Sequence, residues 1–271
     1  MTGERDRNDA EVGVGPWVGS WPDDERLDPD LLRDGDRRNV VDGYRYWRHD
    51  AIVADLDTRR HDFHVAIENW EHDFNIGSVV RTANAMGAAA FHIVGRRRWN
   101  RRGAMVTDRY QHEHHHPTPG DLATWARENG IRLIGIDNLP GSRALETFDL
   151  PRRTMLVFGQ EGPGLSEAMR AECEATLHIE QFGSTRSINA GAAAAIAMHA
   201  WVRRHVFGQD VLPRTPASGT VGTPPTTLVK ASSSPPTPES PREALRHAHA
   251  RGAHGGAAAP RRGPRRAVPD A

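Results

Sequence analysis

The chain has one cysteine, Cys173, and one lysine, Lys230. A single cysteine excludes an intrachain disulfide and suits a reducing compartment. Nearly every positive charge is therefore a guanidinium, which favours forked phosphate contacts and base stacking; a codon bias toward arginine would leave the same trace. No apolar run approaches the roughly 18 residues of a membrane span. The first residues, "MTGERDRNDAEV", lack the apolar core of an export signal. A cytoplasmic protein is expected. Apolar residues are also scarce, at 37% with a mean hydropathy of -0.63, so folded and unfolded parts are being averaged. The net charge of zero hides an asymmetry: residues 1–50 hold 8 Lys+Arg against 13 Asp+Glu, and residues 209–271 hold 9 against 4.

What is present divides the chain into three. Residues 209–271 carry 11 of the 19 prolines and little to bury, so they are expected to be a disordered tail rich in Pro, Arg and Ala. Its "RRGPRR" either grips nucleic acid weakly or only solubilises. Residues 1–50 read as an N-terminal extension, loose to about residue 22. One or two short helices then pack Leu31, Leu32, Tyr44 and Trp47 onto the body. Residues 51–208 are the main domain. "FHVAIE", "AAFHIVG", "IRLIGID", "RTMLVFG" and "TLHIE" read as strands. "NIGSVVRTANAMG", capped by Asn75, "PGDLATWARENG", "LSEAMRAEC" and "SINAGAAAAIAMHAWVRRHV" read as helices. Strands alternating with helices predict an α/β fold with a parallel sheet and helices on both faces. A ligand is then expected outside the carboxyl ends of the strands. Three unusual loops, 69–75, 159–164 and 181–187, follow strands.

The second loop, "VFGQEGPGLS", has the glycines and serine of a phosphate-binding loop but Leu165 where the lysine belongs. It resembles motif 2 of the SpoU/TrmH branch of SPOUT RNA methyltransferases. "FNIGSVVRTANAMG" resembles motif 1 and "IEQFGSTRSINAGAAAAIA" motif 3, in the right order, between about His64 and Val206. The chain departs from the family pattern in "HDFN" before the motif 1 helix, in Glu180 and Gln181, and in Ala190-Gly191. The resemblance implies a SPOUT-like C-terminal trefoil knot, S-adenosyl-L-methionine as cofactor, a homodimer, and methylation of a ribose 2′-oxygen of tRNA or rRNA. An obvious N-terminal RNA-capture domain is missing, which inclines the reading to tRNA guanosine. Methylation of a base nitrogen, or an inactive RNA-binding protein of the same fold, are the alternatives.

The missing lysine has a chemical reading. S-adenosylmethionine carries a sulfonium cation and no phosphate, so a lysine would repel it, and glycines let the backbone approach instead. A plain helix-entry turn would look the same. Carried over residue by residue, the resemblance makes Ile136, Gly159, Ile179, Gln181 and Ile188 cofactor-binding; as side chains the isoleucines would equally be core. It makes Arg81, Asn75, Glu161, Ser187 and Asn189 catalytic, where Ser187 would otherwise be only a helix cap and Arg81 a surface arginine. A guanidinium is effectively always protonated and a poor general base. Arg81 is therefore expected to bind a substrate phosphate and stabilise the developing alkoxide, with Asn75 and Glu161 orienting it and Glu161 available as proton acceptor. "RRRWNRR" interleaves Arg96, Arg97, Arg98, Arg101 and Arg102 with Trp99, as an RNA-facing loop would. "YQHEHHHP", with His112 to His116, fits no metal spacing and reads as a polar loop. No metal is expected.

Overall fold

The computed structural model describes residues 13–70 and 75–210. The helices are α1 (Pro29–Asp34), α2 (His49–Asp57), α3 (Ile76–Ala85), α4 (Pro119–Glu128), α5 (Glu167–Glu172) and α6 (Ala190–His205). The strands are β1 (Phe63–Asn69), β2 (Phe91–Gly95), β3 (Glu113–His116), β4 (Arg132–Ile136), β5 (Arg143–Ala144), β6 (Thr154–Phe158) and β7 (Ala175–His178). The strands form one sheet in the order β3-β2-β1-β6-β4-β7-β5, and every pairing is parallel. Among the described residues no helix is long and apolar enough to cross a membrane.

Alternation along the strands loads both faces of the sheet. Phe63, Val65 and Ile67 of β1, Phe91 and Ile93 of β2, Ile134 and Ile136 of β4, and Leu156 and Phe158 of β6 point one way. There they pack with Val79, Val80 and Ala83 of α3 and with Ala194, Met198 and Trp201 of α6. Ala66, Val94, Leu133, Met155 and Val157 point the other way, under Leu122 and Ala126 of α4 and Met169 of α5. α4 starts sharply because Thr118 and Asp121 form a reciprocal capping box with Pro119 in the first turn.

The structure revises several readings. "EHHH" is no polar loop: β3 is the edge strand on β2, with His92 opposite His114 and Val94 opposite His116. Helix α2 was not expected, and the domain boundary drawn at residue 50 falls inside it. Residues 13–50 belong to the same compact unit as the sheet. Tyr44 and Ile52 close a small core with Tyr110 there, and Leu32 is buried. Asn75 makes no side-chain cap to α3, and the cap of α6 is Asn189, whose Oδ1 accepts from Gly191 N and Ala192 N, rather than Ser187. The expected tail beyond residue 210 and the first 12 residues lie outside the described residues.

β3 matters because it completes a row of buried and half-buried imidazoles under Trp125 of α4. His64 Nδ1 lies 2.9 Å from His92 Nε2, and His92 Nδ1 lies 3.0 Å from His116 Nε2. His92 stacks on His114 and His116, and Trp125 packs against all four rings. A neutral imidazole donates at one nitrogen and accepts at the other, so the three-ring chain closes only with aligned tautomers. Burial pushes His64 down to about 4, helped by His114 and Arg153 and opposed by Asp62. Burial, then the neighbouring His64, His114 and His116, holds His92 well below the ordinary range. His114 is lowered by burial and His112. His116 is lowered by burial, His114 and His115, against Asp121.

The sign of the linkage follows. These groups stay neutral when folded, whereas the unfolded chain takes up protons below about pH 6.5. The stability they contribute is therefore whole above pH 6.5 and is lost as pH falls toward 4. By pH 5, His64 alone should cost on the order of 2 kcal/mol, at 1.36 kcal/mol per unit. Urea titrations at pH 7 and pH 5 should show this loss, and His64→Leu should shrink the difference, leaving the share of His92, His114 and His116. Equal wild-type stability at both values would contradict it.

Candidate functional site

At the carboxyl end of the sheet, the end of β4, the hairpin after β6 and the segment from β7 into α6 enclose a cavity of about 440 Å³. Asn75, at the start of α3, is bonded to its rim. Its floor is Ile136, Phe158 and Ile179, the strand ends, and its wall is Ala190 and Ala193 at the start of α6. Ile136 and Phe158 are buried in the core, so their side chains carry the fold while their backbones border the cavity.

The hairpin is shaped by close backbone approach. Gln160 N donates to Gly164 O at 3.1 Å and Gly164 N to Gln160 O at 3.0 Å. A Cβ on Gly159 would stand 2.0 Å from the Gly164 carbonyl carbon and 2.2 Å from Leu165 N, so only glycine fits. Gly164, at φ +73°, would drive a Cβ to 2.3 Å from Asp137 Oδ2. Asp137 Oδ2 also accepts from Leu165 N at 2.8 Å, which fastens the hairpin to the end of β4. Leu165 itself is buried.

A chain of polar side chains crosses the mouth. Asn75 Nδ2 donates to Glu161 Oε2 at 2.5 Å, and Asn189 Nδ2 donates to Asn75 Oδ1 at 3.1 Å. All three loops are thereby linked through Asn75. Ser187 and Ile188 line the cavity and are exposed. Gln181 also lines it, and its Oε1 is buried without a hydrogen-bond partner among the described residues, an acceptor left for a ligand's donor. The ionisable side chains on the wall are Asp137, Glu161 and His178. His178 Nδ1 lies 2.9 Å from Ser142 Oγ. Among the described residues no lysine or arginine lines the cavity.

The structure thus brings Ile136, Gly159, Glu161, Ile179, Gln181, Ser187, Ile188 and Asn189 to one cavity, with Asn75 bonded to two of them. Arg81 does not line it. It stands on the exposed side of α3, opposite buried Ile76, Val79, Val80 and Ala83, and makes no hydrogen bond or ion pair among the described residues. At 1.5 Å rise per residue it lies about 9 Å along the helix from Asn75. Asp137, Asn138, His178 and Ala193 are lining residues that the sequence reading missed. Asp137 had a signal, since it immediately follows a strand.

The arginine loop is partly corrected. Trp99 is buried at 8% exposure, edge-on to Phe91, and its Nε1 donates to Glu113 at 3.3 Å. It cannot offer a face to a base. Arg101 covers its ring at 4.6 Å and is bound to Asp108 and Glu113 at 2.6 and 2.8 Å. Arg96, Arg97, Arg98 and Arg102 remain exposed, without ion pairs among the described residues. Asn69 holds the loop's backbone by donating to Arg96 O and Arg98 O at 2.6 and 2.9 Å. Cys173 is chemically quiet: burial, then the nearby Glu68 and Glu172, pushes its thiol up to about 12.

Comparison with known proteins places this geometry. The model of the SpoU rRNA Methylase family matches residues 62–199. A 23S rRNA (uridine(2479)-2'-O)-methyltransferase of Streptomyces viridochromogenes is 30% identical over 154 residues, 50% of each chain. A Mycobacterium bovis protein described as an uncharacterized tRNA/rRNA methyltransferase is 29% identical over 171 residues, 60% of this chain and 52% of that one. The crystal structure of the SpoU methyltransferase AviRb from Streptomyces viridochromogenes, in complex with AdoMet, superposes with a TM-score of 0.50 at 31% identity. The match covers 57% of this chain and 65% of that one. The A. aeolicus TrmH/SpoU tRNA modifying enzyme shares the fold, with a TM-score of 0.52 at 20% identity over 59% and 84% of the two chains. The chain spans about half the length of the curated relatives it matches.

Proposed function

We propose, because this chain belongs to the SpoU rRNA Methylase family and its cavity suits a phosphate-free cationic nucleoside, that it is an S-adenosylmethionine-dependent RNA ribose 2′-O-methyltransferase. The observation that carries the reading is the cavity's lining: a glycine hairpin, apolar strand ends, two carboxylates, and no lysine or arginine among the described residues. Gln181 supplies the unpartnered acceptor. Ile136, Gly159, Ile179, Gln181 and Ile188 would hold the cofactor.

Bound there, S-adenosylmethionine supplies a methyl group on a sulfonium leaving group. The protein's task is to present a ribose hydroxyl and to manage its proton. Asn75, fixed by Glu161 and Asn189, orients the ribose, with Ser187 at the same rim. Glu161, at the mouth, takes the proton as the oxygen attacks. Arg81 grips a phosphate of the RNA and steadies the charge developing on that oxygen. Arg96, Arg97, Arg98 and Arg102 add a salt-dependent hold on the RNA backbone, tRNA or rRNA. The reading extends to the family's trefoil knot around the cofactor loops and to a homodimer. Exposed Phe182 and Ile196 support the latter, as apolar surface a second copy would cover.

Calorimetry tests the cofactor half. S-adenosylmethionine should bind without magnesium. ATP with magnesium binding more tightly would contradict the reading.

A further inference from the structure

Glu68 lies near the carboxyl end of β1, on the sheet face opposite α3 and α6, and is fully buried. Burying a carboxylate is costly unless donors satisfy it, and three do. Ser166 N donates to Oε2 at 2.7 Å. Ser166 Oγ and Trp70 Nε1 donate to Oε1 at 2.7 and 2.8 Å. The backbone of Trp70 goes further and donates to Gln160 Oε1 at 3.1 Å. Gln160 precedes Glu161, the acceptor of the Asn75 amide.

These contacts form a closed relay. Ser166 ends the hairpin and caps α5 through Met169 N at 3.1 Å. Trp70 opens the connection to Asn75. Glu68 holds both, and Gln160 joins them again beside the site. The cofactor side of the hairpin has its own fastening, Asp137 on Leu165 and the paired Gln160 and Gly164. Glu68 and Trp70 therefore do different work: they tie the hairpin to the chain leaving β1.

We propose that Glu68 and Trp70 are positioning residues, which set Asn75 against Glu161 for the transfer step without touching the cofactor. The proposal rests on the methyl-transfer reading above. A carboxamide at position 68 can accept at only one of its two positions, so either Ser166 N or Trp70 Nε1 would face an N–H. The relay would open at one end while the cavity wall stayed pinned by Asp137.

The test compares Glu68→Gln and Trp70→Phe with wild type, in the full chain, by three readouts. Turnover on RNA should fall about 10–100-fold in Glu68→Gln, the usual effect of a small misplacement, and less in Trp70→Phe, which loses the indole donor and part of the ring packed on Gly95 but leaves Ser166 bound to Glu68. S-adenosylmethionine affinity by calorimetry should be unchanged in both, whereas Asp137→Ala should lose it. The side-chain amide signals of Asn75 in the NMR spectrum should shift in both variants, although the substitutions lie at the far end of the relay. If Glu68→Gln does not fold, Trp70→Phe carries the test. A folded variant whose Asn75 amide signals stay in place overturns the proposal. A wild-type protein that transfers no methyl group contradicts the function instead, and the amide signals then still decide the positioning role.

Discussion

Arg81→Ala should abolish methyl transfer to RNA while leaving S-adenosylmethionine affinity nearly unchanged. The argument is positional. Arg81 stands on the exposed face of α3, outside the cavity lining, and has no ion pair among the described residues to explain it structurally. A side chain that does not line the cofactor cavity has little to lose there. A charge held for a developing oxyanion acts on the transition state, so its removal lowers turnover rather than cofactor binding. Losing one donor to a developing oxyanion costs ~10²–10³ in rate, and more where a substrate phosphate is also released. Arg81→Lys should not rescue, because an ammonium cannot hold phosphate and ribose oxygens in a fixed fork. Transfer of labelled methyl to bulk tRNA and rRNA, with calorimetry in parallel, checks both halves. Near-normal turnover would make Arg81 an ordinary surface arginine.

Gly159→Val should do the opposite and remove the cofactor. Even a methyl group at 159 would sit 2.0 Å from a backbone carbon of the hairpin, with no flexible side chain there to give way. The strand end and the hairpin must separate, which breaks the Gln160–Gly164 pairing and moves the backbone that walls the cavity. S-adenosylmethionine affinity should fall by about 100-fold or more, the effect of displacing well-packed contacts by some 3 kcal/mol. Gly159→Ala should already show most of it. Circular dichroism should still report the α/β fold, since the hairpin is a rim and the core strands lie behind it. A Gly159→Val protein with wild-type cofactor affinity would show that the hairpin does not form the binding wall.

The two faces of the sheet explain how much of this was legible. The apolar stripe Ile76, Val80 and Ala83 repeats at helical spacing, so α3 and its exposed Arg81 could be read locally. So could the glycine hairpin and the strands that precede each loop. "FHVAIE" read equally well as a strand, but nothing in it tells what its polar positions meet. His64, Ala66 and Glu68 lie under α4 and α5. The groups that make burial tolerable are far along the chain: Ser166 is 98 residues from Glu68, and no local pattern reports that. "EHHH" failed as a strand for the same reason, since its polar rings are sheltered by Trp125 and by the edge of β2. Asn75 has the residue type of a helix cap, yet its amide is drawn instead to Glu161 and Asn189, 86 and 114 residues away. Trp99 amid arginines looked like a stacking platform. Its burial is decided by Phe91 and Glu113, which local composition cannot place.

One measurement bears most directly on the central claim. Purified protein is incubated with S-adenosylmethionine labelled in the methyl group and with total tRNA and rRNA lacking the modification, and the RNA is digested to nucleosides and separated. The account predicts label in a 2′-O-methylated nucleoside, with none when Arg81→Ala replaces the wild type. Label carried on a base, or no label in RNA from a protein that binds S-adenosylmethionine, would contradict it.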